Sequence, residues 1–99
     1  MRRWPKKYVE ITPNGHLLVG WPEASPLFFD ALRVWLRLGY GLRREGRTIY
    51  SPDGDMILPD LVGAEVRLKS GWDNWSGYYL LSEDDAGDRF LRRSLAREV

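Results

Sequence analysis

The first regular pattern in the chain is an alternation. Tyr8-Val9-Glu10-Ile11-Thr12 places polar and apolar side chains on opposite sides of an extended backbone, as in a half-buried strand. Pro13-Asn14-Gly15 follows, with Pro setting the first turn position and Asn and Gly tolerating positive φ. Residues 16–21 then return with Leu17, Val19 and Trp21 on one face, which predicts a hairpin. The alternation stops at Trp21-Pro22-Glu23-Ala24. Ser25-Pro26 reads as a helix start, Ser as N-cap and Pro at the first helical position. The helix is predicted to run to about Leu38 and to be stopped by Gly39 and Gly41. Phe28, Ala31, Leu32, Trp35 and Leu36 form its expected sheet-facing stripe, with Asp30, Arg33 and Arg37 opposite.

A second hairpin is predicted from residues 47–50 and 55–58 around Ser51-Pro52-Asp53-Gly54, which repeats the chemistry of Thr12-Pro13-Asn14-Gly15. The flanks match too loosely to argue duplication of a whole unit. Pro59-Asp60 ends this part. Glu65-Val66-Arg67-Leu68-Lys69 alternates again, with Val66 and Leu68 expected inward. Residues 78–81 return as four apolar residues in succession, which fits a strand covered on both faces or one pairing across a homodimer. Ser82-Glu83-Asp84-Asp85 resembles a capping box with Asp in its fourth place. Its three acids in the first turn, with Arg92, Arg93 and Arg97 near the end, complement a helix dipole, while Gly87 weakens the helix. Together these elements predict one α+β domain over residues 1–99, in the order ββα-ββ-ββα. Its sheet is mostly antiparallel, of about five or six strands, with the long helix on one face and the second helix on that face or at an edge.

Between the strands of the last hairpin lies Gly71-Trp72-Asp73-Asn74-Trp75-Ser76-Gly77-Tyr78-Tyr79, with two of the five Trp and two of the five Tyr. Trp and Tyr offer large, stiff surfaces with a polar handle and recur at binding hot spots. Read as a connection of roughly seven or eight residues, the stretch exceeds the usual hairpin loop of about two to five. Trp72, Asp73, Asn74, Trp75 and Tyr78 are therefore the expected partner-binding residues. A competing reading folds one Trp back into the core and leaves Asp73-Asn74 as a simple turn.

Composition narrows the function classes. Ninety-nine residues make one domain, with 13% aromatic and 29% charged residues typical of a globular chain of thin stability margin. The absence of cysteine removes disulfides, a thiolate nucleophile and Cys-bound zinc, and fits a cytoplasmic setting. The basic start Met1-Arg2-Arg3-Trp4-Pro5-Lys6-Lys7 is followed by no apolar run of signal-peptide length. The apolar region 27–38 is interrupted by Asp30, Arg33 and Arg37, so no membrane span is expected. Its apolar and basic sides also fit a membrane-surface helix, but core packing is preferred because the strands need a cover.

A net charge of +1 argues against a dedicated nucleic-acid binder. Even so, Arg33, Arg37, Arg43, Arg44 and Arg47 face only Glu45 within residues 33–47 and are the candidates for gripping phosphate, with Trp35 and Tyr40 near for stacking. Gly39-Tyr40-Gly41 lacks the third glycine and the preceding strand of a dinucleotide loop. Asp53-Gly54-Asp55 lacks the ligand series of a calcium loop and reads as a turn. His16 is the only histidine and is expected to be exposed beside a turn; Glu83, Asp84, Asp85 and Asp88 are explained by helix capping. No catalytic constellation, metal site or cofactor site is expected.

The expected function is that of a small non-catalytic protein engaging a protein partner through the aromatic stretch. Inhibitors, immunity factors and adaptors of bacteria or phage share this build, an analogy of fold alone. The alternative is a nucleic-acid-binding module using the arginines. The third reading is carbohydrate binding by stacking on Trp72 or Trp75.

Overall fold

In the computed structural model, residues 4–96 are described; Arg2, Arg3 and Arg97 of the readings above lie outside them. The first hairpin forms as its pattern predicts. β1 (Tyr8–Ile11) pairs antiparallel with β2 (Leu17–Trp21), Val9 opposite Val19 and Ile11 opposite Leu17. At the turn the Gly15 amide donates to the Thr12 carbonyl at 2.8 Å, and Gly15 takes φ 89°, a conformation that favours glycine.

α1 (Pro26–Tyr40) starts where Ser25-Pro26 predicts. The Ser25 hydroxyl accepts from the Phe28 amide at 3.1 Å, and Gly41 closes the helix at φ 70°, its amide donating to the Arg37 carbonyl. The predicted stripe is rotated. The helix buries Phe29, Leu32, Arg33 and Leu36, while Ala31 and Trp35 are exposed. Nine of the twelve residues 27–38 are apolar, so spacing alone cannot choose which side meets the sheet.

Two short strands follow, β3 (Arg43–Glu45) and β4 (Ile49–Tyr50), and both pair with β5 (Met56–Val62). The turn between β4 and β5 repeats the first one: the Gly54 amide donates to the Ser51 carbonyl and Gly54 takes φ 99°. β3 carries no apolar residue and was missed by the pattern. Nor does Pro59-Asp60 end the strand. The ladder between β5 and β6 (Arg67–Asp73) shifts register between Leu58 and Leu61, a bulge that accommodates a residue without an N–H. The Pro59 carbonyl, freed from the ladder, accepts from Arg33 Nη2 at 2.8 Å and Ser70 Oγ at 3.1 Å.

β6 pairs from Leu68 to Asp73 with β7 (Gly77–Ser82), which inserts beside β2. The result is a mostly antiparallel seven-stranded sheet in the order β1-β2-β7-β6-β5-β3, with β4 also on β5, and two helices: an α+β fold. α2 (Asp85–Ser94) is capped by Asp84, whose carboxylate accepts from the Gly87 amide, and not by Ser82. Ser82 is fully buried, and its hydroxyl donates to the Asp84 carbonyl. Both helices lie on one face of the sheet. Leu17, Val19, Trp21, Leu68 and Leu80 from the strands form the core with Phe29, Leu32, Leu36, Phe90 and Leu91.

Among the described residues no helix covers the opposite face. A cross-strand row there reads Tyr8, Gly20, Tyr79, Gly71, Ile57 and Ile49 from β1 to β4. A methyl group on Gly20 would lie 2.8 Å from the Tyr8 ring, and one on Gly71 would lie 2.7 Å from the Tyr79 hydroxyl. Both glycines thus serve as flat seats for tyrosine rings. No helix among the described residues is long and apolar enough to cross a membrane.

Candidate protein-interaction surface

The aromatic stretch is not a long loop. β6 and β7 run on to the pair Asp73 and Gly77, leaving a connection of Asn74-Trp75-Ser76. This is a third tight turn in the chain, closed by Gly77 at φ 68°, so the excess length expected from the sequence does not exist. Asp73 Oδ1 accepts from the amides of Trp75 at 2.9 Å and Ser76 at 2.5 Å, which makes Asp73 the former of the turn.

Of the five residues proposed for contact, Trp72 and Tyr78 are cross-strand partners on the helix side, while Asp73 points to the other face and Asn74 and Trp75 lie in the turn. Tyr78 lies on the helix side and stacks on Phe29 with ring centroids 4.8 Å apart. Trp72, half-buried, is on that side too, beside Tyr78, while Ile49, Ser51, Asp55, Ile57, Asp73 and Tyr79 line a shallow cleft of about 270 Å³ around the other face. Burial first, then the neighbouring Asp53 and Asp73, pushes the Asp55 carboxyl above its ordinary range. Asn74 and Trp75 are exposed at the tip, Trp75 by 87%.

A larger apolar surface lies elsewhere. On the side of α1 away from the sheet, Leu27 is 78%, Val34 47% and Leu38 83% exposed, with Ala31 exposed between them. Trp4 packs edge-on against Phe28 and Trp35, at centroid distances of 5.6 and 5.9 Å. Trp35 meets Tyr40 edge-on in turn, at 5.7 Å. The stripe runs along about three turns of helix with this ring cluster on its flank, and exposed apolar surface of this kind often marks a contact site. The sequence signal for it was present, since a helix apolar on more than one side must expose something if only one side is covered.

The arginines divide between the two faces. Arg33 is buried under α1, where its Nη2 meets the Pro59 carbonyl while its Nε has no hydrogen-bond partner. Burial first, then the nearby Arg44 and Arg37, holds its pKa below the ordinary arginine value against the pull of Asp30. Arg44 is opposite Leu61 on the helix side. Arg43, its neighbour along β3, points to the other face and pairs with Glu45 at 3.5 Å. Glu45 also pairs with Arg67, which meets the buried Asp60 at 2.6 Å beside Lys69 at 3.2 Å. Arg43, Arg67 and Lys69 thus each have an acid partner, whereas Arg37, Arg44 and Arg47 have no ion pair among the described residues.

His16 is half-buried and paired, not free at a turn. Its Nδ1 lies 2.8 Å from Asp88 Oδ2, and Asp88 Oδ1 accepts from the Leu17 amide at 2.9 Å. The two bonds clamp α2 to the first hairpin, a contact between residues 72 positions apart that no local pattern announces. The hydrogen bond to Asp88 lifts the His16 pKa above its ordinary 6.5 despite burial, helped by Asp85 and Asp84. Burial pushes the Asp88 carboxyl up, but the bonds from His16, Leu17 and Ser82 prevail and hold it below its ordinary 3.8. Asp85 brings a third ligand atom within 4.8 Å of these two, the one such grouping among the described residues. The clamp accounts for both Asp88 oxygens and the Nδ1.

Comparison with protein-family models, with curated proteins and with solved structures gives no match to this chain.

Proposed function

We propose that this chain is a non-catalytic protein-binding module, of the inhibitor, immunity or adaptor kind, and that its contact surface is the outer side of α1. One observation carries the reading: Leu27, Val34 and Leu38, flanked by the partly exposed Trp4 and Trp35, leave an apolar side of α1 turned away from the sheet. Interface cores favour aromatic and large apolar residues with charge at the rim, and Asp30 and Arg37 sit at this rim. Trp75 offers a second, smaller contact at a hairpin tip. The lack of cysteine is in keeping with a reducing, cytoplasmic setting.

The test uses the full chain as immobilised bait in a native lysate. Leu27→Asp with Leu38→Asp is expected to abolish specific capture while leaving the far-ultraviolet circular dichroism unchanged. Trp75→Ala is expected to weaken it less. Capture that survives the double substitution would overturn the assignment to α1.

A second reading, nucleic-acid binding, is favoured by one specific observation: Arg37, Arg44 and Arg47 have no ion pair among the described residues. It predicts binding to mixed-sequence DNA or RNA at low salt, with a smaller salt slope for Arg44→Ser. No binding at low salt would end it.

A further inference from the structure

We infer that the partner seated on the outer side of α1 is a second copy of this chain, docked antiparallel about the middle of the helix. The inference rests on the protein-binding reading of that surface and names its occupant.

The spacing comes first. Leu27, Ala31, Val34 and Leu38 are separated by four, three and four residues, the alternation that keeps a straight seam facing a second helix. All four are exposed, and the residues that hold α1 to the sheet lie on the other side of the helix. The fold therefore does not generate this seam. A flat or irregular partner would not require it.

The flanks decide the orientation. One flank carries Asp30 and Arg37, seven residues apart; the other carries Phe28 and Trp35, also seven apart. In an antiparallel pair each flank meets the same flank of the copy. With the two-fold axis between Ala31 and Val34, Leu27 faces Leu38 of the copy and Ala31 faces Val34. Asp30 then comes alongside Arg37 of the copy, twice over by symmetry, and Trp35 comes alongside Phe28. A parallel pair would set Asp30 and Arg37 against the aromatic flank. Within one chain Arg37 has no acid partner among the described residues, and its Nε is buried without a hydrogen bond. Asp30 makes no ion pair there either. Two unpaired opposite charges at matching positions of a self-complementary seam are what an isologous dimer needs.

Sedimentation of the full chain over a range of concentrations tests the state. A monomer–dimer equilibrium is expected, with Val34→Asp monomeric throughout and unchanged in circular dichroism. The charges give the sharper arm. Asp30→Arg alone and Arg37→Asp alone each bring like charges together and should weaken the dimer about tenfold or more. The double swap, Asp30→Arg with Arg37→Asp, should restore it. The two positions are two helical turns apart within a chain, so restoration reads a contact between copies.

Orientation is read with single cysteines, since the chain has none of its own. Leu27→Cys mixed with Leu38→Cys should give a disulfide-linked dimer on oxidation, and Leu27→Cys alone should not. A monomer at every concentration overturns the inference, as does a dimer indifferent to Val34→Asp or cross-linking by Leu27→Cys alone. A monomeric chain whose lysate capture still depends on Leu27 and Leu38 would overturn self-association and leave the protein-binding reading standing. Loss of both would remove the two together.

Discussion

α2 meets the sheet through Phe90 and Leu91 and is fixed at its start by the bonds from Asp88 to His16 and Leu17, while its outer side is charged, with Asp85, Arg89, Arg92 and Arg93 exposed. α1 meets the same sheet face through Phe29, Leu32 and Leu36, and its outer side is apolar. Two helices in one layer, over one core, thus treat water in opposite ways. The sheet demands one apolar side from each. α2 supplies that and no more, so its sequence is accounted for by the fold. α1 supplies it twice, and the second apolar side is left for something outside the fold. Such surface persists in a folded chain at the risk of aggregation, which is the physical ground for reading it as a contact site.

The largest expected effects test whether the two sides of α1 differ as described. Phe29 is fully buried between Trp21 and Tyr78, so Phe29→Ala should cost about 3–5 kcal/mol, a large share of the stability of a small domain. Urea unfolding measures it. A cost below about 1 kcal/mol would mean that the inner side does not carry the packing assigned to it.

The next effect concerns the polar clamp of α2. Asp88→Ala leaves the Leu17 amide without an acceptor and His16 without its partner, and should cost about 1–3 kcal/mol. Asp85→Ala, on the exposed side, should change stability by no more than about 0.5 kcal/mol. Hydrogen exchange adds a local reading: amides of α2 should exchange faster in Asp88→Ala, and those at the centre of α1 should not. Equal acceleration of both helices would show that they open as one unit and would blur the comparison.

How far the sequence foretold these differences depends on the range of the interactions. The turns at Gly15 and Gly54 and the start of α1 at Ser25-Pro26 were legible because their chemistry is local. β3 was not, because Arg43-Arg44-Glu45 becomes a strand only when β5 lies beside it. Gly71 read as loop punctuation, yet it is strand, held under the Tyr79 ring. That one residue made the Trp72–Trp75 turn look long. Which side of α1 faces the core was illegible for a related reason. With apolar residues on every side but that of Asp30 and Arg37, the facing is fixed by the Arg33 contact to Pro59 and by Phe29 against Tyr78, both between helix and sheet. The clamp of His16 on Asp88 joins the two ends of the chain and left no trace in composition or spacing.

Titration sharpens the contrast further, since only α2 is tied down by an ionisable pair. His16 has its pKa raised on folding, so its contribution to stability is complete below 6.5 and fades as pH rises through the raised value. Asp88 has its pKa lowered, so its contribution is complete above 3.8 and fades as pH falls through the lowered value. The clamp should therefore be strongest between these limits. Stability measured by urea at a series of pH values should decline above the window as His16 loses its proton. Asp88→Asn should remove most of that decline, leaving the smaller influence of Asp85 and Asp84. A pH profile unaltered by Asp88→Asn would show that the pair does not fasten the helix.

The smallest expected effect is the one on which the contact reading depends most. Leu38 is 83% exposed near the end of α1, so Leu38→Gln removes almost no buried area and replaces one good helix former with another. At concentrations low enough to keep the chain monomeric, its unfolding free energy should stay within about 0.5 kcal/mol of the unaltered chain. Under the same conditions Leu36→Gln, two residues away and fully buried, should be severely destabilising because it places an unpartnered amide in the core. If Leu38→Gln instead costs more than about 1 kcal/mol in the monomer, the side chain has a partner within its own chain. The outer side of α1 would then belong to the fold, as the outer side of α2 does. If the cost is nil in the monomer and emerges as concentration rises, the difference is free energy of association, and it can come only from a surface that folding left unused.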